Sequence, residues 1–428
     1  MEGKELRGHS PQDELYGPIK IPPYCWPIID TYEYQRIRHI FQLGTCHYVF
    51  PGATHTRFEH CLGVAHLASV FMEHIKNTQP ELGVTEEHCQ SVIIAGLCHD
   101  LGHGPWSHKF EYIAKEYDPS WDHEDMSCQI LKHIYDKYKL PIKKEVIEAA
   151  CNFILGLEYP GYPIWLSRII ANKENDIDLD KFDYLARDIN RTLSIARFQY
   201  DRLIFHCRVV DNQLAWRQSE MNTIERLFYN RNDMHKRVYQ HRVNQGISCM
   251  IADMLEAADS YINIETVISD IEEYVKLDDR IMTHILEGDY GEEAQRIALD
   301  IEERRLYKCI GELRMKPENL AGLTYSQLPV STIENDIAEF SDNLPPSKLR
   351  VVKITYRFGL KENKHPLLSI PFWKPGNEHA YFLTEDDISC IVPVHFMETA
   401  MRVYVTDPAS IDEARKAFNK WKESKKLQ

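Results

Sequence analysis

A chain of 428 residues with 43% hydrophobic and 27% charged side chains is long enough to bury a full core, and its composition excludes intrinsic disorder. Its net charge of -15 argues against broad adhesion to nucleic acid or anionic membrane, although a local basic patch can still hold phosphate. The longest apolar runs, such as SVIIAGLC, fall far short of the roughly 20 residues that cross a bilayer, which excludes a spanning helix and a membrane partner.

The start, MEGKELRGHS, carries no apolar signal region, and the eleven cysteines lie singly with no C-x-x-C pair. Both point to an intracellular chain with reduced thiols, in the nucleus or cytoplasm. From TRFEHCLGVAHLASVFMEHI through EHCQSVIIAGLCHDLG, apolar residues recur at helical spacing, and Gly102 and Gly104 end the second helix. Further helices are expected in WDHEDMSCQILKHIYDKYK, KKEVIEAACNFIL, IDLDKFDYLARDINR, IEERRLYKCIGEL and one long run from TIERLFYNRNDMHKRVYQHR to AADSYI. Residues 1–320 thus read as a helical lobe. Beyond SDNLPPSK the runs LRVVKITYRFG, HAYFLTEDDISCIVP and MRVYVTD alternate and lead into a basic helix at IDEARKAFNKWKESKK. Residues 321–428 read as a smaller α+β lobe, so the fold class is mainly α.

The stretch CHDLGHGPWSH holds the chemistry. A lone histidine on a helix is more often a hydrogen-bonded core or surface residue than a ligand. His99 and Asp100, however, follow a helix too apolar to leave an aspartate unpartnered, and a metal is an economical partner. His60 in HTRFEH and Asp180 in NDIDLDKFDY are the best candidates to complete the set, giving H…HD…D. Two imidazoles and two carboxylates suit iron, manganese, zinc or another divalent ion. Asp180, Tyr184 and Asp188 share one helical stripe, and Lys181 and Arg57 lie close by in sequence. Cations beside a metal point to a phosphate substrate. Arg231, His235 and Tyr239 repeat that spacing, with Gln240 adjacent; alone, they are equally a solvated basic face.

The H…HD…D pattern resembles the HD phosphohydrolase superfamily. The strings FQLG, YVFPGATHTRFEH, IAGLCHDLGHGPWSH, DIDLDKFDYLARD and RNDMHKRVYQH are similar to the vertebrate SAM-and-HD-domain deoxynucleoside triphosphate triphosphohydrolases, in the family's order from about residue 13 to 310. HDLGH differs from the HD-x-G-K of cyclic-dinucleotide phosphodiesterases, and the early start of the HD sequence implies a version without the SAM domain.

The resemblance implies an HD-domain helical lobe that hydrolyses deoxynucleoside triphosphates to deoxynucleoside and inorganic triphosphate, by attack of metal-activated water at the α-phosphate, with magnesium accompanying the nucleotide. By motif, His60, His99, Asp100 and Asp180 hold the metal. His103 and His108 face the α-phosphate and leaving oxygen, and His123 is the catalytic histidine held by a carboxylate. That carboxylate is Glu111, where the family has aspartate, so a changed rate is expected rather than lost chemistry. Arg57, Lys181, Tyr184, Arg231, His235 and Tyr239 contact phosphates or pack on substrate, while Gln42, Leu43, Asp188, Tyr239 and Gln240 surround the sugar and leave no space for a 2′-hydroxyl.

The relatives are tetramers assembled by guanine and deoxynucleotide effectors, which implies a homo-oligomer here, dimer or tetramer, with GTP and deoxynucleoside triphosphate effectors. Guanine-reading positions match as Asp30, Gln35 and Arg38; further effector candidates are Arg202, Arg217, Arg237, His241, Arg242, Arg304 and Lys308. His9, Ser219 and Thr406 stand where phosphate-binding lysines are expected, and Thr223 where an asparagine is. The second effector site is therefore expected to be weakened, because each charge-assisted contact is worth roughly 1.5 to 3 kcal/mol. Two rival readings are an HD hydrolase of another nucleotide phosphate ester, and a nucleotide-gated protein that binds single-stranded nucleic acid.

Overall fold

The computed structural model describes residues 9–193, 199–315, 327–359, 364–388 and 392–427. The fold is mainly α, and the chain forms two compact units that interleave along the sequence. One comprises Met1–Arg231, Asn263–Ile281 and His365–Val392; the other comprises Asn232–Ile262, Met282–Lys364 and Pro393–Gln428. These bounds differ from a single cut at residue 320.

In the first unit, α1 (Arg57–Thr78) opens on a capping box between Thr56 and Glu59. It buries Cys61, Val64, Ala65, Ala68, Phe71, Met72 and Ile75 on the face that meets α2 (Glu86–Cys98). From Ser91 onward α2 is buried all round, which explains its uninterrupted apolar run, and it is flanked by α1 and α5 (Lys144–Ile154). Between them in sequence come α3 (His108–Tyr117) and α4 (His123–Tyr138), the latter started by the Asp122 carboxylate accepting from Glu124 N–H. Asp178 caps α6 (Leu179–Thr192) in the same way, and α6 packs on α1.

A hairpin interrupts the expected helical lobe: β1 (Cys207–Val210) pairs antiparallel with β2 (Gln213–Arg217), and Phe372–Trp373 adds in parallel to β2. Its two-residue turn, Asp211-Asn212, has both φ angles positive (52° and 58°), as a primed hairpin turn requires. The long helix expected from TIERLF onward is also broken. It runs as α7 (Met221–Met234), a π-helical turn at His235–Tyr239, and then α8 (Arg242–Ala257) capped by His241.

In the second unit α8 packs on α9 (Glu292–Glu302). The helix expected through IEERRLYKCIGEL stops at Glu302, because Arg304 takes a left-handed φ of 64° and the chain turns into β3 (Lys308–Met315). An antiparallel sheet follows, with β5 (Met397–Val405) central between β3 and β4 (Leu349–Arg357). Its apolar face, including Ile310, Leu313, Leu349, Val351 and Val403, is covered by α10 (Val330–Ala338) and α11 (Ile411–Ser424) through Ile333, Ile337, Phe418 and Trp421. The strand expected in HAYFLTEDDISCIVP is instead one bridge from Tyr381 to Phe372 and a 3-10 turn at Glu385–Asp387, closed by Thr384 and Asp387. Residues 389–391 of that run lie outside the described residues.

Candidate active site

The H…HD…D residues converge within the first unit. His60 comes from the first turn of α1, His99 and Asp100 from the end of α2, and Asp180 from the first turn of α6. His60 Nε2 lies 3.1 Å from His99 Nε2, 3.0 Å from Asp180 Oδ1 and 3.6 Å from Asp100 Oδ2. His99 Nε2 lies 3.5 Å from both Asp100 Oδ1 and Asp180 Oδ1. Ligands at about 2.0 to 2.2 Å from one tetrahedral ion stand about 3.3 to 3.6 Å apart; His60, His99 and Asp100 group closely enough to hold a single divalent ion, and Asp180 Oδ1 lies against both imidazoles. Their mixture of imidazole and carboxylate suits a transition metal.

The electrostatics agree with a charge-dense site. Burial alone would depress the His60 imidazole, but Asp180 and Asp183 outweigh it and push it up to about 10. Burial would likewise raise Asp100, yet Arg57, His99 and His103 hold it well below the usual carboxylate range. Arg57 hydrogen-bonds the Asp100 carboxylate directly and donates from Nε to Ser107 Oγ at 2.9 Å, so in this structure it braces a metal-site carboxylate.

Several residues that the sequence reading passed over build the support. His60 Nδ1 lies 2.8 Å from Asp183 Oδ1, fixing the ring so that Nε2 faces the donor cluster. Asp183, fully buried, also accepts from Arg187 Nε (3.0 Å), Arg187 Nη2 (2.9 Å) and Tyr16 Oη (2.7 Å). Gly63 makes room for this pair, since a Cβ there would stand 2.0 Å from Asp183 Oδ2. His99 Nδ1 is matched by Gly96 O at 2.9 Å. The hydroxyl of Ser127 on α4 contacts His99 O at 2.7 Å and receives Gly102 N–H at 2.7 Å. The turn between α2 and α3 is pinned again from outside. Buried Arg36 donates to Leu101 O (3.1 Å) and His103 O (2.7 Å), and Tyr274 Oη to Gly102 O (2.7 Å).

His103, His108 and His123 form one cluster. His103 and His123 stack with ring centroids 4.0 Å apart. Parallel rings at that distance aim their lone pairs side by side, which suits proton handling better than a shared ion. Burial, Arg57 and His123 hold His103 well below the usual imidazole range, so it is neutral at neutral pH. Glu111 reaches His123: Oε2 is 2.8 Å from His123 Nδ1, and Lys115 Nζ sits 2.5 Å from Oε1. Although burial would raise it, Glu111 is held well below the usual range by His108, His123 and Lys115. His108 is exposed at the rim.

Of the other candidates, Lys181 Nζ lies 2.9 Å from Asp178 Oδ2 and 3.0 Å from Asp176 Oδ1, and Arg231 pairs with the same Asp176. Asp176, at a left-handed φ of 68°, therefore gathers two of the predicted phosphate-contacting cations. Tyr184 is half-buried and Asp188 buried, one and two turns along α6 from Asp180. Gln42 and Leu43 are half-buried beside the bridge between Phe41 and Thr56. His235, Tyr239 and Gln240 belong to the second unit, where the rings of His235 and Tyr239 meet edge-on at 5.0 Å.

The effector candidates divide similarly. Asp30 is exposed; Gln35 accepts from Arg38 Nε at 2.6 Å, and Arg38 lies over the Phe58 ring at 3.4 Å. Arg202 pairs with buried Glu220 (2.6 Å), which also receives Ser219 and Thr223 at 3.4 and 3.3 Å. Arg217 lies 5.9 Å from the Trp373 ring. In the second unit Arg237 pairs with Asp233 (3.0 Å), His241 caps α8 at Arg242, Arg304 ends α9 and Lys308 starts β3. Thr406 lines a cavity of about 750 Å³ with Arg305, Arg350 and Asp407. His9 stacks edge-on against Trp26.

Residues 57–188 match the HD domain family, and residues 198–347 match the HD associated region. The chain is 32% identical over 414 residues to the deoxynucleoside triphosphate triphosphohydrolase SAMHD1 homolog of Dictyostelium discoideum, covering 95% of this chain and 79% of that one. It is 35% identical over 460 residues to deoxynucleoside triphosphate triphosphohydrolase SAMHD1 of Homo sapiens, covering 96% and 72%. The Mus musculus protein of that name is 33% identical over 464 residues, covering 96% and 70%. Among the described residues no helix is long and apolar enough to cross a membrane.

Proposed function

The chain belongs to the SAMHD1 family of HD-domain deoxynucleoside triphosphate triphosphohydrolases, and from that premise we propose that it hydrolyses deoxynucleoside triphosphates to deoxynucleoside and inorganic triphosphate. The observation that carries the reading is the convergence of His60, His99, Asp100 and Asp180 beside the stacked pair of His103 and His123. A divalent ion held by those four residues supplies Lewis-acid polarisation of phosphoryl oxygen. The donor set favours iron, manganese or zinc, with magnesium arriving on the nucleotide.

The chain's own side chains carry the rest. Arg57, Lys181 and Arg231 line the phosphate path, their present carboxylate partners holding them in place until the substrate's oxygens share them. Water adds at the α-phosphorus as the bond to the 5′ oxygen breaks, and the proton the water gives up passes to solvent, which reprotonates the histidine that serves the leaving oxygen. His123, with Nδ1 on Glu111, has Nε2 turned away from that carboxylate and delivers the proton to the departing 5′ oxygen. Neutral His103 orients the attacking side, and exposed His108 closes over the phosphates. Within the first unit, Tyr184, Asp188, Gln42 and Leu43 surround the deoxyribose.

GTP is the effector we assign to Asp30, Gln35 and Arg38; Arg304 and Lys308, in the second unit, are separate effector-contacting candidates. The second, deoxynucleotide effector site is weakened. Supporting this, Ser219 and Thr223 supply no cation, and Arg202 is already engaged by Glu220. The homo-oligomer is then a dimer or tetramer that depends little on that second nucleotide. Light scattering that finds a tetramer only with GTP plus deoxynucleotide would overturn this part.

The test of the activity is mass-spectrometric product analysis of metal-loaded protein with each deoxynucleoside triphosphate, with and without GTP, against His99→Ala and Asp100→Ala. Deoxynucleoside and inorganic triphosphate from the intact protein alone support the reading. No turnover with metal bound refutes it and favours another phosphate ester or a nucleic-acid-binding role.

A further inference from the structure

Next to the sugar-facing part of the candidate site lies a buried imidazole to which nothing above gives a role. The side chain of His55 is wholly buried, and its Nε2 stands 2.7 Å from Asp188 Oδ1, itself buried. His55 is held by backbone rather than by its own packing alone. Gln42 N–H donates to His55 O at 3.0 Å, Arg57 N–H donates to Ile40 O at 3.0 Å, and Phe41 bridges Thr56. This short antiparallel bracket delivers Arg57 to the metal-site carboxylate Asp100 and, two residues earlier, His55 to Asp188. Asp188 lies on the α6 stripe that begins at Asp180, eight residues on, or about 12 Å along the helix axis. Among the described residues the other imidazole nitrogen, His55 Nδ1, and the neighbouring Gln42 Oε1 are buried without a hydrogen-bond partner. Unmatched buried polar atoms are rare enough to ask for a ligand or a water.

We propose that His55 is a positioning residue: its hydrogen bond from Nε2 fixes the Asp188 carboxylate to accept the 3′-hydroxyl of the deoxyribose. The inference rests on the reading that Asp188 faces the sugar. An ionised carboxylate can only accept hydrogen bonds, and the one hydroxyl a deoxynucleoside triphosphate carries on its sugar is at the 3′ position. An imidazole that donates from Nε2 presents Nδ1 as an acceptor, so its unmatched atom is an acceptor rather than a costlier buried donor.

The experiment compares kcat/KM for thymidine triphosphate and its 2′,3′-dideoxy analogue in the intact, metal-loaded protein and in His55→Phe, His55→Asn and His55→Gln. The intact protein is expected to prefer the 3′-hydroxylated substrate. His55→Phe keeps the ring but not the nitrogen. It should raise KM for the hydroxylated substrate and reduce the preference on the order of tenfold to a hundredfold, leaving the dideoxy analogue unchanged. His55→Gln, whose amide nitrogen reaches the place of Nε2, should restore most of the preference, and the shorter His55→Asn less. The contrast between those two decides the matter if His55→Phe does not fold. Equal losses on both substrates, or an undiminished preference in His55→Phe and His55→Asn, overturn the role of His55 alone. Indifference of the intact protein to the 3′-hydroxyl overturns the sugar-facing reading of Asp188, and the proposal with it.

Discussion

Replacing Asp183 with asparagine isolates the support of the metal site from the ligands themselves. The Asp183 carboxylate takes His60 Nδ1 at 2.8 Å, two Arg187 nitrogens at 3.0 and 2.9 Å, and the Tyr16 hydroxyl at 2.7 Å, with no exposure to solvent. Asparagine keeps the shape but removes the charge, and its amide N–H groups compete with His60 and Arg187 as donors. Two effects of different size follow. Loss of a carboxylate behind a ligating histidine typically weakens metal affinity by about 10- to 100-fold. Leaving the buried Arg187 guanidinium without its bidentate partner, with Asp13 at 3.1 Å and Glu14 at 3.9 Å remaining, costs about 3 to 5 kcal/mol of folding stability. The assay is competition with a chromophoric chelator for zinc and manganese affinity, together with urea unfolding of the metal-free protein. A stability loss with unchanged metal affinity would refute the orienting role and leave Asp183 as a packing element.

Gly63→Ala tests the same support by crowding it: a Cβ 2.0 Å from Asp183 Oδ2 should lower metal retention on dialysis and the thermal midpoint together, whereas a neutral result would mean that α1 moves aside freely. Glu111→Gln should lower kcat by about a hundredfold or more with KM little changed, because a neutral amide holds His123 in the wrong tautomer; a proportional rise in KM would point instead to substrate binding. Burial pushes Asp279 up to about 7, despite the N–H groups of Phe41 and Trp106 that it accepts. A carboxyl whose folded pKa exceeds the unfolded value of about 3.9 keeps an extra proton in the folded state between those limits, so stability falls as pH rises through that window. Unfolding free energies from urea titrations at pH 5 and pH 7.5 should show a decline on the order of a few kcal/mol that Asp279→Asn flattens; identical pH slopes in both proteins would contradict the assignment.

The candidate site was legible where chemistry and helix geometry coincide. His60, His99, Asp100 and Asp180 lie on or at the ends of regular helices, and their residue types admit few uses when buried together. Asp183 and Arg187 were passed over because an i, i+4 acidic–basic pair usually marks an exposed helix face. Their burial depends on Gly63, whose significance is visible only once α1 and α6 are packed. The hairpin at residues 207–217 was readable, since Asp211-Asn212 between alternating apolar residues is a primed-turn signal, and it was lost to the surrounding helical pattern. The break at His235 carries no glycine or proline, so local rules could not place it. The strand of RRLYKCIGEL is set by pairing with β5, nearly ninety residues away, which outweighs its local helical spacing.

The central claim is that water attacks phosphorus at the α position and that the bond to the 5′ oxygen breaks. Turnover of a deoxynucleoside triphosphate in ¹⁸O-labelled water, followed by mass spectrometry of both products, tests it directly. The account predicts a single labelled oxygen in inorganic triphosphate and an unlabelled deoxynucleoside, with neither formed by Asp100→Ala. Label in the deoxynucleoside, or release of pyrophosphate or monophosphate in place of triphosphate, would contradict it.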